Sequence, residues 1–268
     1  MIRKSIVAGK FYPGDEKKLY QDVKRFIEAG AKEKKDAAGV VVPHAGYIFS
    51  GKVAGLTYSC INVPEEVVVI GPNHTGIGSS ISMMTQGKWQ IPGSEVEIDK
   101  ELAENILRLS SYAKDEPDAH MMEHSIEVQL PFLKFCNKNV KIVPIIMGTR
   151  EIEPITDLGE AVAHSIEKSG KKVLIVASSD MSHYVSQKEA EKYDYMAIEK
   201  IEVLNPEGLM DVVKQESISM CGAAPAAVML KAVKILQSRK AELVHYNTSA
   251  EATGDTQRVV GYAGIRVF

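Results

Sequence analysis

The chain reads as an α/β protein of three layers, with helices on both faces of a central sheet that is largely parallel or mixed. Three observations predict this. Short β-branched runs alternate with longer stretches of helical periodicity along the 268 residues. The runs are apolar at every position instead of at alternate ones, as suits strands covered on both faces. No internal repeat, low-complexity tract or Gly/Ser/Pro-rich linker divides the chain, so residues 1–268 are expected to form one domain.

The elements follow in order. A first helix over 15–30 is capped by Asp15, and the strand "GVVVP" at 39–43 leads into His44 and a helix over 50–60 that starts at Ser50. The strand "VVVIGP" at 67–72 precedes a Gly- and Pro-broken stretch, 75–98, whose short alternating runs predict an antiparallel excursion. Helical periodicity then marks 99–111 and 123–136, "VKIVPIIMG" at 140–148 reads as a strand, and 151–169 as a helix. After the strand "KVLIVASSD" at 172–180 come helices over 186–203, where Ser186 and Glu189 form a capping box, and 205–215, opened by Asn205 and Pro206. A helix over 222–238, a polar loop within 246–264 and the strand "RVVGYAGIRVF" complete the chain, with Asp255 and Arg258 assigned to turns.

Composition excludes several classes of function. Hydrophobic residues at 45% and charged residues at 25% are ordinary for a globular chain, and a net charge of -3 without a basic stripe argues against nucleic acid. No apolar stretch reaches the roughly 20 residues that cross a bilayer. The N-terminus turns charged before any signal-type apolar block forms, which predicts a cytoplasmic protein. Cys60, Cys136 and Cys221 lack the number and spacing of a disulfide framework; Cys60 and Cys136 read as structural.

Chemistry collects where strands end. "VVVPH" ends in His44, "VVVIGPNH" in His74, and "VLIVASSDMSH" in Asp180 and His183. In open α/β sheets the carboxyl ends of the strands form the ligand crevice, so these side chains are expected to meet there. Glu123, His124 and Glu127 are expected in the first turn of the 123–136 helix, with Ile126, Leu130 and Leu133 as its buried stripe. Cys221 precedes Gly222 and Ala223 at a helix start, where unpaired amides lower a thiol pKa and small neighbours permit close approach. Two histidines with a soft or carboxylate ligand on separate strands match a mononuclear transition-metal site, and imidazole with thiolate suits iron, copper or zinc. Neither a GxSxG elbow, a CxxC pair, nor a glycine-rich nucleotide cradle occurs, while a cysteine hydrolase using Cys221 and a histidine stays open.

The blocks "AGKFYPGD", "PHAGYIFSG", "GPNHTG", "EHSIEVQLPFL", "SSDMSHY", "CGAAPA" and "GYAG" together resemble the Memo family nearly end to end. That family takes its name from the mediator of ErbB2-driven cell motility, and its prokaryotic members are called AmmeMemoRadiSam system protein B. It is similar in fold to the class III, LigB-type extradiol dioxygenases, where two histidines and a glutamate hold non-haem iron. The resemblance implies His44, His74 and Cys221 as metal ligands, His183 near the acid/base position, His124 in the same pocket and Asp180 orienting a histidine. It implies iron or copper, with zinc as a further metal, and an oxidoreductase acting with dioxygen or on a small organic substrate. A thiolate in place of the dioxygenase carboxylate means that ring cleavage does not carry over. A peptide- or partner-binding module with an enzyme-like pocket is the rival reading, and the family's prokaryotic name implies radical-SAM and AMMECR-type partners.

Overall fold

The structure, a computed structural model, describes residues 1–30 and 33–268. From the N-terminus come β1 (Ile2–Arg3), α1 (Glu16–Glu28), β2 (Lys35–Asp36), β3 (Gly39–Val42), α2 (Tyr47–Ser59), β4 (Ile61–Asn62) and β5 (Glu66–Pro72). The middle of the chain holds β6 (Ile81–Met83), β7 (Lys88–Ile91), β8 (Ser94–Ile98), α3 (Lys100–Leu109), β9 (Ala113–Asp115), α4 (Leu130–Cys136), β10 (Lys141–Met147), α5 (Ile152–Ser169) and β11 (Val173–Ser178). The remainder is β12 (His183–Val185), α6 (Gln187–Glu202), α7 (Pro206–Gln215), α8 (Ala223–Ile235), β13 (Ala241–Thr248), α9 (Ala250–Thr253) and β14 (Val259–Val267).

The apolar runs become the heart of the sheet. β10, β5, β11 and β3 lie side by side and parallel, and every residue of β3, β5 and β11 is buried. β14 and β13 continue the sheet antiparallel beyond β3; beyond β10 the sheet runs on through β8, β7 and β1. The sheet is therefore mixed, with a parallel centre. The 75–98 stretch is the antiparallel excursion its pattern predicts: β6 pairs antiparallel with the end of β10, and β7 with β8. Two groups of helices flank the sheet, α5 with α8 against β3, β5 and β11, and α1 with α2 and α4, of which α2 lies against β3 and β14. Their buried apolar side chains join one contiguous core cluster.

The predicted caps form as written. Asp15 accepts from Lys18 N, Asn205 from Gly208 N, and Ser186 with Glu189 closes a capping box on α6. Three expectations need correction. α2 starts at Tyr47, before Ser50, because Gly46 takes the cap and Tyr47 N–H donates to the Phe11 carbonyl at 2.7 Å. The expected helix over 123–136 begins only with a short 3₁₀ turn, Glu127–Gln129, before α4, and Glu123 and His124 stand on an irregular turn. Tyr246 to Thr248 belong to β13, whose middle residues are half-buried and mostly polar, so no apolar run announced this outer strand. Asp255 does serve a turn, accepting from Gln257 N at 2.8 Å.

Candidate metal centre

Three neighbouring parallel strands deliver the site. In the order β5, β11, β3, each ends two residues before a site residue: His74, Asp180 and His44 respectively. Ser178 pairs with Val42 in register, so His44 and Asp180 leave the sheet level with one another. The Asp180 carboxylate accepts the His44 amide at 2.8 Å and the Ala45 amide at 3.3 Å. It thus fixes the backbone of His44, while the ring is held elsewhere, through Nδ1 at 2.9 Å from Ser178 Oγ. Burial is the main reason the His44 pKa lies well below 6.5, reinforced by the charges of His74 and His124. This imidazole stays neutral and available as a ligand at physiological pH.

His74 is anchored by Glu123. The buried carboxylate accepts from His74 Nδ1 at 2.9 Å, from the His74 amide at 2.6 Å, and from the His124 and Ser125 amides at 2.9 and 2.8 Å. A carboxylate engaged by an imidazole and three amides is saturated as an acceptor. It serves the site by holding His74 with Nε2 outward, as carboxylates behind metal-binding imidazoles do. Burial alone would raise the Glu123 pKa, yet the hydrogen bond and charge of His74, with the amides, bring it down to about 2. Burial likewise lowers His74, and Glu123 outweighs it, leaving His74 raised.

Cys221 reaches the same spot from another part of the chain. Its Sγ lies 3.4 Å from His44 Nε2 and accepts the Asp180 amide at 3.2 Å. The approach depends on Gly222: a Cβ there would come within 2.4 Å of the Ser178 carbonyl oxygen and 2.5 Å of Ser179 Cβ. The small residues therefore act as the sequence predicts. The thiol pKa does not: burial, then the Asp180 charge, push it up to about 12. The Gly222 amide, which donates to Ser179 Oγ at 3.0 Å, does lower it, but burial and the Asp180 charge outweigh that pull.

One donor atom each from His44, His74 and Cys221 lies within 4.8 Å of the others. Metal–sulfur and metal–nitrogen bonds of about 2.3 and about 2.0–2.1 Å at a tetrahedral angle place S and N about 3.5 Å apart, close to the separation seen between Cys221 and His44. The residues fit a small transition-metal ion. His74, Glu123 and His124 form a second cluster of the same kind, but its carboxylate is already committed to the amides.

The remaining expected residues divide. His124 stacks on His74 with ring centroids 4.6 Å apart and meets Phe11 edge-on at 4.9 Å, so it lies beside the His74 ring. His183 Nδ1 lies 3.0 Å from the Ser219 carbonyl oxygen, which can only accept; Nδ1 therefore carries the proton and Nε2 is free. The charge of His183 bears on both His44 and Asp180. Glu127, expected beside His124, faces the other way: it binds Arg3, the Ile6 and Val7 amides and the Tyr12 hydroxyl. Sequence reasoning missed Arg3, whose buried guanidinium also donates to the carbonyls of His120 and Glu123 and so holds the turn carrying His124. It missed Ser178 as well. The signal for Ser178 was present, a hydroxyl closing an otherwise apolar buried strand; Arg3 gave none.

Comparison with known proteins bears on the family and the fold. The sequence model of the Memo-like protein family matches residues 3–266. A MEMO1 family protein from Aquifex aeolicus is 43% identical over 265 residues, covering 98% of each chain. One from Methanopyrus kandleri is 39% identical over 278 residues, covering 99% of this chain and 98% of its own. Among solved structures, an uncharacterized Escherichia coli K12 protein superposes with a TM-score of 0.55 at 12% identity, over 85% of this chain and 98% of its own, a likeness of fold. With a family match over almost its whole length, the chain belongs to the Memo family.

Proposed function

We propose that the protein holds one transition-metal ion, iron or copper in preference to zinc, on His44, His74 and Cys221, and uses it in oxidoreductase chemistry with dioxygen or on a small organic substrate. The observation that carries this reading is the approach of three suitable donor atoms to within 4.8 Å of each other. Two imidazoles with one thiolate suit these metals better than magnesium or calcium. Bound there, the ion would supply redox and Lewis-acid chemistry.

The chain's own residues supply the rest. Glu123 orients His74, and His183 keeps Nε2 free to accept or return a proton. Ile48, Ile77, Met122 and Tyr184 stand exposed, each within four residues of His44, His74, Glu123 or His183. Such exposed apolar groups favour an uncharged or aromatic substrate over a highly charged one. The same groups favour a second reading, in which a peptide or partner protein docks over them. The hydrolase reading loses support: a thiol near 12 beside an imidazole well below 6.5 gives two neutral groups, where a cysteine nucleophile needs an ion pair. Free thiols at Cys60, Cys136 and Cys221 suit the cytoplasmic setting included in this proposal, and no helix among the described residues is long and apolar enough to cross a membrane.

Metal analysis of protein purified without oxygen tests the reading. Wild type is expected to carry about one equivalent per chain, and His74→Ala and Cys221→Ser to fall to background. Unchanged metal content in both variants would remove the assignment. Peptide binding that survives replacement of both histidines would separate docking from the metal pocket.

A further inference from the structure

Behind His44 lies a buried chain of hydrogen bonds that the metal site does not itself explain. Tyr58 on α2 donates its hydroxyl to Gln129 Oε1 at 3.0 Å. Gln129 Nε2 lies 2.9 Å from the Pro43 carbonyl oxygen and 2.8 Å from Ser178 Oγ. Ser178 Oγ lies 2.8 Å from the Ser125 carbonyl oxygen and 2.9 Å from His44 Nδ1. Tyr58, Ser125, Gln129 and Ser178 are wholly buried and His44 nearly so, which leaves the direction of each bond to the protein groups.

The directions follow from what each group is able to do. A backbone carbonyl only accepts, so the amide end of Gln129 must face Pro43, and its oxygen then faces the Tyr58 hydroxyl. Facing Ser178, that amide is a donor. Ser178 has one hydrogen, and the Ser125 carbonyl oxygen accepts it. Its two lone pairs are then filled by Gln129 and by His44, which is possible for His44 only if Nδ1 bears a hydrogen. The other tautomer would set two oxygen lone pairs against each other at 2.8 Å with no water to separate them.

We propose that Gln129 and Ser178 are positioning residues that preset His44 in the tautomer protonated on Nδ1, keeping the Nε2 lone pair open towards Cys221. The use of that lone pair as a metal donor rests on the proposed centre; the tautomer does not. His74 is likewise anchored through Nδ1 by the Glu123 carboxylate and His183 by the Ser219 carbonyl, so three imidazoles turn Nε2 away from their anchors. For His44 the anchor is a neutral hydroxyl with its proton committed elsewhere. Setting the tautomer this way adds no charge to the buried centre.

Two-bond ¹H–¹⁵N correlation spectra of the metal-free protein, labelled at histidine, test this directly. Wild type is expected to show His44 with Nδ1 protonated and Nε2 bare; a proton on Nε2 overturns the proposal whatever any variant does. Ser178→Ala is expected to move His44 towards the Nε2-protonated form and to weaken Co²⁺ binding, read from its thiolate charge-transfer band, by about 10–100-fold. Ser178→Thr, which restores the hydroxyl, is expected to recover both. Wild-type tautomer and Co²⁺ affinity in Ser178→Ala would overturn the assignment. The preset tautomer in a chain that binds no metal would leave the relay standing and remove the metal reading; an Nε2–H tautomer in a chain that does bind metal would do the reverse.

Discussion

Glu123 and His74 each make the other's charged state favourable, and the two shifts have opposite signs. Glu123 is depressed from 4.5 to about 2, so its contribution to stability is present above about 4.5 and is lost as pH falls through about 2. His74 is raised above 6.5, so its contribution is full below 6.5 and is lost as pH rises through the raised value. Melting temperatures of the metal-free protein are therefore expected to fall as pH climbs past 6.5, and Glu123→Gln to flatten that alkaline limb. A limb unchanged in the variant would mean that some other group produces it. Gly222 carries a second prediction at this scale. Gly222→Ala forces a Cβ against the Ser178 carbonyl, which is expected to cost about 1–3 kcal/mol and to displace Cys221. Denaturant titration and metal content, read together, check it; a variant that keeps its wild-type metal content would show that the Cys221 loop adapts.

Secondary elements were legible wherever local chemistry decided them. Capping residues formed as written, and Ser186→Ala is expected to cost about 1 kcal/mol in urea unfolding while leaving metal content unchanged, since α6 contributes no donor to the centre. The failure at 123–136 has a physical cause. Ile126, Leu130 and Leu133 do lie buried at helical spacing, but Glu123 takes the amides of His124 and Ser125 through its own carboxylate. Arg3 takes the Glu123 carbonyl, which a helix starting there would offer to the Glu127 amide. With that carbonyl turned to a distant side chain, the first helical turn does not close.

Over the whole molecule, Arg3 ties the N-terminus to the rim of the site. Its guanidinium and Glu127 form an ion pair with both side chains fully buried, and it also lies over the Trp89 ring at 4.3 Å. Removing one partner strands the other's charge, so Arg3→Met is expected to cost about 3–5 kcal/mol and to loosen the turn bearing Glu123 and His124. The double variant Arg3→Met/Glu127→Gln is expected to lose less than the sum of the single changes in urea unfolding. Strict additivity would show that the pair is not coupled.

The sequence by itself determined the strand runs, the caps and the placing of His44, His74 and Asp180 just past strand ends, because apolar patterning and capping act over a few residues. Tertiary structure alone decided that Cys221 lies 3.4 Å from His44, that Glu123 grips His74, that Ser178 governs the His44 ring and that Arg3 secures the turn beside them. Those contacts join residues far apart in the chain, and their geometry is set by strand register and by what each buried polar atom has left to bond.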